Sequence, residues 1–207
     1  MPSWAQVQEA VDDCYDAQRH KDKMVGLVRD RGWALRFARH HWRGQEKVCE
    51  AAVKNYGLAL EWCSMEMSDN EKIVNAAVKQ NGLAYMYASD RLKTKKSLAM
   101  LATKEYGAML EFAAPKMRRD KEVVLNAIKN NGQALMFARE LREDKNFVMQ
   151  AVATNKDCFD YVSTDLRQDP EVLKAVMENS KRKARSMPPP ALRVRAHKPV
   201  PDARWPN

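Results

Sequence analysis

Apolar residues fall along this chain in short clusters spaced three and four apart. Val48, Cys49, Ala51 and Ala52 form one, followed by Ile73, Val74, Ala76 and Ala77, and then Leu98, Ala99, Leu101 and Ala102. The series continues at Val123, Val124, Ala127 and Ile128, at Phe147, Val148, Ala151 and Val152, and at Val172, Leu173, Ala175 and Val176. That spacing is the period of an amphipathic α-helix and not the strict alternation of a strand. A second kind of cluster lies between them and opens on glycine, as in Gly32-Trp33-Ala34-Leu35-Arg36-Phe37-Ala38 and Gly57-Leu58-Ala59-Leu60-Glu61-Trp62-Cys63. Its apolar residues stand at the second, third, fifth and sixth positions after the glycine, a crowded face for a second helix.

The glycines Gly32, Gly57, Gly82, Gly107 and Gly132 stand 25 residues apart. A sixth copy, Lys156-Asp157-Cys158-Phe159-Asp160-Tyr161-Val162, keeps the apolar pattern at a spacing of 24 without the glycine. Met117 and Asp120 align with Leu141 and Asp144 at the same spacing of 24, so the fifth unit is one residue short in the turn between its two helices. Helices this short are marginal alone in water, so the units must stack to bury their apolar faces. The expected fold is all-α, an α-solenoid of about six stacked two-helix repeats of about 25 residues. Residues 1–19 fit the pattern poorly and read as an N-terminal capping helix, 20–179 as the tandem hairpin repeats, and 180–207 as a tail.

Local punctuation supports the helices. Asp120, Asp144 and Asp169 precede apolar runs as N-cap acceptors, Pro170 stands at a first helical position, and Ser68 with Glu71 reads as a capping box. Lysines at 54, 79, 104 and 129 each sit three residues before a glycine, where a cation suits the negative end of a helix dipole. The five glycines are therefore expected to be the joints of the repeat, each in the left-handed cap conformation.

The run from Asp120 to Ala138, Asp-Lys-Glu-Val-Val-Leu-Asn-Ala-Ile-Lys-Asn-Asn-Gly-Gln-Ala-Leu-Met-Phe-Ala, resembles the repeat of the helical family called domain of unknown function 4116. The resemblance covers roughly residues 20 to 179 in tandem copies. It implies a tandem α-helical repeat and carries over no activity, cofactor or functional residue. Lys156 in place of glycine departs from the pattern at the last hairpin.

Charge changes the picture at the end of the chain. Most of the net charge of +9 belongs to 180–207, where Lys181, Arg182, Lys183, Arg185, Arg193, Arg195, Lys198 and Arg204 face Asp202 alone, and six of the nine prolines fall there too. Such a segment lacks the apolar content for a core and reads as a basic, disordered arm. Lys181, Arg182, Lys183 and Arg185 fit a solvated tail, a localisation signal, or contacts to nucleic acid or an acidic protein.

Chemistry is sparse elsewhere. Cys49, Cys63 and Cys158 stand where the repeat places small apolar residues, and with Cys14 they form no CxxC pair, so they read as buried thiols. His40 and His41 lack the spacing that would join Cys49 and Cys63 around zinc. No nucleophile elbow, P-loop, dinucleotide fingerprint or HExxH occurs, so no catalytic residue, cofactor or metal is expected. The aromatic residues Phe37, Trp62, Tyr87, Phe112, Phe137 and Tyr161 share one repeat position and read as core. Arg36, Glu61, Met86, Glu111 and Met136 share another, which reads as an exposed variable stripe open to a partner or to solvent alone.

Met1 to Cys14 has no basic region leading into an apolar run, and no stretch approaches the length of a membrane span, so a cytoplasmic or nuclear protein is expected. Two functions follow. The first is a non-enzymatic scaffold that binds a protein partner along one face. The alternative is a nucleic-acid-binding repeat protein assisted by the basic tail.

Overall fold

Of the 207 residues, the computed structural model describes 3–17 and 20–186. Among these, every regular element is helical. The helix Trp4–Ala17 comes first and lays Ala10, Cys14 and Ala17 against the stack. Six units follow, built to one plan. A ten-residue α-helix leads into a six-residue 3-10 helix and then into a four-residue helical turn. The long helices are Lys21–Asp30, Glu46–Asn55, Glu71–Gln80, Lys96–Glu105, Lys121–Asn130 and Lys145–Thr154, and the helix Pro170–Ser186 closes the series.

Long helices pack on long helices of the next unit, and 3-10 helices pack on 3-10 helices, so the stack has two layers. The expected hairpin is present, with its second arm wound as a 3-10 segment and a separate turn. Winding at three residues per turn explains the burial pattern along Gly32–Phe37 and its equivalents, because positions three apart eclipse. The third and sixth positions after the glycine, such as Leu35 with Ala38 and Leu110 with Ala113, lie on the glycine's own inward line, and the second position, Ala34, Ala59, Ala84 and Ala134, is fully buried beside them. The first and fourth, such as Trp33 with Arg36, face outward. On the long helices the inward set is two adjacent pairs one turn apart, for example Ile73, Val74, Ala77 and Val78. Ala51, Ala76 and Leu101, which the periodicity places inward, are only partly buried.

The glycines require a correction. None of them has positive φ, so none is a left-handed cap. The chain turns instead at the preceding residue, which is extended, with φ −138° and ψ 98° at Tyr56 and φ −153° and ψ 115° at Asn81. What excludes a side chain is the neighbouring unit. A Cβ would lie 2.4 Å from the Ala52 carbonyl oxygen at Gly32, 2.5 Å from that of Ala77 at Gly57, and 2.3 Å from that of Ala127 at Gly107.

Those glycine amides are also the rungs of a ladder. Gly32 N–H donates to Asn55 Oδ1 at 2.8 Å, Gly57 to Gln80 Oε1 at 2.5 Å, Gly82 to Glu105 Oε2 at 2.9 Å and Gly107 to Asn130 Oδ1 at 2.8 Å. The amide side chains donate as well as accept. Asn55 Nδ2 reaches Asp30 O at 3.3 Å, Gln80 Nε2 reaches Asn55 O at 3.1 Å, and Asn130 Nδ2 reaches Glu105 O at 3.0 Å. One terminal amide thus satisfies two backbone groups that helix ends leave without partners.

The caps at Asp120, Asp144 and Asp169 are present, each accepting from backbone N–H groups of its helix. Ser68 forms no capping box with Glu71. It ends the turn Met65–Ser68, and Asn70 caps the next helix by accepting from Lys72 and Ile73. At the far end the helix Pro170–Ser186 runs past the boundary drawn at 179, so Lys181, Arg182, Lys183 and Arg185 belong to a helix. The rest of the tail, 187–207, lies outside the described residues.

Candidate functional site

The stripe is built by the fourth position of each 3-10 helix. Arg36, Glu61, Glu111 and Met136 are exposed there, and Met86 is half-buried. Asp160 occupies the same position in the sixth unit and is exposed too. Because the first and fourth positions eclipse, Trp33, Leu58, Leu83 and Ala108 border the stripe as half-buried residues. The result is an outward face that alternates apolar patches with Glu61 and Glu111.

The aromatic series proves different from a buried core. Phe37, Trp62, Tyr87, Phe112, Phe137 and Tyr161 are all partly buried, packed on the core with an edge in solvent. They share a line with the small second position, and being longer they protrude beyond it. Neighbours extend the row. Tyr56 stacks on Trp62 with ring centroids 6.0 Å apart and planes at 14°, and Trp33 meets Phe37 edge-on at 6.4 Å. Burial, and next the Glu61 carboxylate beside it, hold the Tyr87 phenol above its ordinary range. Stripe and aromatic row therefore touch across a unit boundary. Residue spacing alone signals the shared position of the aromatics but not their exposed edges.

Tyr85 is the exception among the rings. It takes a leucine position in the core, is fully buried, and donates its hydroxyl to Lys93 O at 3.0 Å. A second buried polar group, Thr103, stands in the row of Val53, Val78 and Ile128. Its hydroxyl donates to Ala99 O at 2.8 Å and accepts from Asn126 Nδ2 at 2.9 Å, so both are satisfied across the joint.

On the edge of the long-helix layer, lysines bridge successive units. Lys72 meets Glu50 at 2.8 Å, Lys95 meets Glu71 at 2.5 Å, Lys96 meets Asp120 and Glu122, Lys121 meets Asp144 at 2.6 Å, and Lys145 meets Asp169 and Glu171. Exposed pairs of this kind contribute little stability. Their consequence is electrostatic, since these cations already face carboxylates rather than an open basic track.

The cysteines are thiols, with Cys14, Cys49 and Cys158 buried and Cys63 partly so. Arg43 O accepts from both Cys49 Sγ at 3.0 Å and Ser64 N–H at 2.8 Å, which brings Cys49 beside Cys63. Hydrogen bonding to Cys49, followed by burial, pushes the Cys63 thiol far up, and burial raises Cys158 to about 12. These are poor nucleophiles, since the thiolate is the reactive form. His40 and His41 sit exposed on the turn His40–Arg43 with the His41 ring tilted on Trp42. Among the described residues no three His, Cys, Asp or Glu side chains are grouped to hold a metal ion. No helix among them is long and apolar enough to cross a membrane.

A family model described as Domain of unknown function (DUF4116) matches residues 46–93, 95–142, 120–167 and 144–182. Each match spans about two units of the stack, and the overlap of the later ones reflects the internal repetition. No curated protein and no solved structure matches the chain.

Proposed function

The chain belongs to the family of the domain of unknown function DUF4116, whose copies here stack into one helical repeat, and from that premise we propose that it is a non-enzymatic scaffold that binds a protein partner along its 3-10 face. The observation that carries this reading is the outward row of Arg36, Glu61, Met86, Glu111 and Met136, flanked by half-buried aromatic rings. Rings with one face supported and one edge in water lose little entropy on contact, which suits them to protein interfaces. Repeating one position along a stack turns a local feature into an extended surface. The reading assigns no catalytic residue and no cofactor, and it places the protein in the cytoplasm or nucleus.

The alternative, nucleic-acid binding, draws on one observation. Lys181, Arg182, Lys183 and Arg185 follow one another within the last turns of the helix Pro170–Ser186, at the end of the stack. Against it stands the pairing of Lys72, Lys95, Lys96, Lys121 and Lys145 with carboxylates.

The test is selection of peptides from a random display library on the full chain, followed by affinity measurement on the Met86→Glu, Met136→Glu double variant. Selected peptides that lose about tenfold or more in affinity, worth about 1.4 kcal/mol, support the scaffold reading. Peptides indifferent to those substitutions refute the stripe. Labelled single-stranded and duplex nucleic acid serves as the second probe, at low and physiological salt. Salt-resistant binding that survives removal of 180–207 would replace the scaffold reading with a nucleic-acid reader.

A further inference from the structure

We propose that a pocket between the fifth and sixth units binds a phosphomonoester dianion. The pocket has a volume of about 240 Å³ and is lined by Arg139, Arg142, Glu143, Ser163, Thr164 and Arg167. It lies where the repeat departs from its period. The fifth unit is one residue short in its turn, and there Arg139–Arg142 closes as a 3-10 turn where the other units form α-helical turns. Ala138 at φ −104° and ψ 61° replaces the extended residue found at Ala88 (φ −66°, ψ 152°) and Ala113 (φ −71°, ψ 148°).

The corresponding place between the second and third units shows what an occupied arrangement looks like. There Asp69 accepts from the Ser89 hydroxyl and pairs with Arg91 at 3.0 Å, and Ser89 caps its own turn by accepting from Leu92 N. Anion and donors are both supplied by the protein. Between the fifth and sixth units Glu143 takes the place of Asp69, yet among the described residues its carboxylate pairs with none of the donors around it. Ser163, the equivalent of Ser89, caps nothing. Arg142 Nε donates to Tyr161 O, which fixes its guanidinium at the pocket wall. Among the described residues, none of Arg139, Arg142 and Arg167 forms an ion pair, whereas Arg91 and Arg119 on the same edge do.

The chemistry selects the ligand class. Three guanidinium groups and Glu143 leave a net charge of +2, which matches a phosphomonoester near −2. Guanidinium forks match tetrahedral oxyanions through paired N–H donors, and the Ser163 and Thr164 hydroxyls add neutral donors. A carboxylate brings one charge only and meets Glu143. A phosphodiester strand needs cations spread along a track, and here they converge on one pocket. Free inorganic phosphate and a phosphorylated serine side chain share the required chemistry.

The experiment is a heteronuclear NMR titration of the full chain with inorganic phosphate and, separately, N-acetyl-O-phosphoserine amide, with ionic strength held constant by chloride. The expected result is saturable shifts at the Ser163 and Thr164 amides and at the arginine Nε–H signals, weakened about tenfold or more by Arg139→Gln with Arg167→Gln. The single variant Arg167→Gln, at an exposed position, serves as a second reading should the double variant lose its native spectrum, and Arg118→Gln leaves the affinity unchanged. Tighter binding of phosphate assigns the site to the free anion, and tighter binding of phosphoserine to a modified side chain. Shifts that never saturate, or that persist in both Arg167 variants, overturn the proposal. So does a single-stranded oligonucleotide that perturbs the same signals at lower phosphate concentration than either small ligand.

Discussion

Along the first four joints of the stack, a side chain of each new unit takes the glycine amide of the unit before it, whereas among the described residues the fifth glycine has no such partner. Asn55, Gln80, Glu105 and Asn130 accept from Gly32, Gly57, Gly82 and Gly107. Among the described residues nothing accepts from Gly132, and Thr154, the residue in register with Asn130, folds its hydroxyl back to Gln150 O. The ladder has moved one residue along. Asn155 donates to Ile128 O at 2.9 Å and Asn179 to Val152 O at 2.6 Å. Gly132 now crowds the 3-10 backbone of the next unit, its Cβ position 2.6 Å from Cys158 N, instead of a helix carbonyl. One deleted residue in a turn therefore changes which side chain closes the joint. The packing of apolar layers tolerates the change, and the directional hydrogen bonds do not.

The contrast can be broken at its strongest point by Gly107→Ala. The added methyl meets a backbone oxygen at 2.3 Å, which no rotamer relieves, so the cost is about 3 kcal/mol and the melting temperature falls by roughly 6–12 °C. Gly26→Ala is the control. Nothing lies within 4 Å of its Cβ position, mid-helix, so thermal unfolding should show a gain of about 0.5–1 kcal/mol.

Asn130→Ala removes the acceptor for Gly107 N–H and the donor to Glu105 O together. Chemical denaturation should register a loss of about 1–3 kcal/mol, with Thr154→Ala in the shorter unit close to neutral.

Cys158, packed beside Gly132, offers a pH test of the other kind of joint. Burial raises its thiol to about 12 against an ordinary value of 9.0, so the folded chain keeps a proton that the unfolded chain releases. Stability is therefore full below about pH 9 and declines as pH rises toward 12, by about 1.4 kcal/mol per unit at most. Urea midpoints measured from pH 8 to 11 should fall less steeply in Cys158→Ala.

Glu105→Gln is the smallest and most pointed change. Glu105 accepts from Gly82 but cannot donate as Asn55, Gln80 and Asn130 do. Restoring an amide should add up to about 1 kcal/mol by letting the side chain donate to the Gln80 carbonyl, read as a higher denaturation midpoint.

The period, the two layers, the caps at Asp120, Asp144 and Asp169, and the exposure of Arg36, Glu61, Glu111 and Met136 were legible in the residues, because each depends on neighbours a few positions away. Family membership was legible for the same reason, since the motif from Asp120 to Ala138 repeats. The role of the glycines was not, because the atom that forbids a side chain at Gly32 is the carbonyl of Ala52, twenty positions on and in another unit. The 3-10 winding escaped detection because its inward positions also fit a turn and a half of α-helix. That winding in turn hid the exposed aromatic edges, and the shortened fifth turn gave no hint that Arg139, Arg142 and Arg167 would share a pocket.

The most direct measurement is native-state hydrogen exchange of the five glycine amides by NMR. The account predicts that Gly32, Gly57, Gly82 and Gly107 are protected, that Gly132 exchanges faster than Gly107, and that Asn130→Ala selectively releases Gly107. Equal protection of Gly132 and Gly107, unchanged by Asn130→Ala, would contradict it and leave the stack held by apolar packing alone.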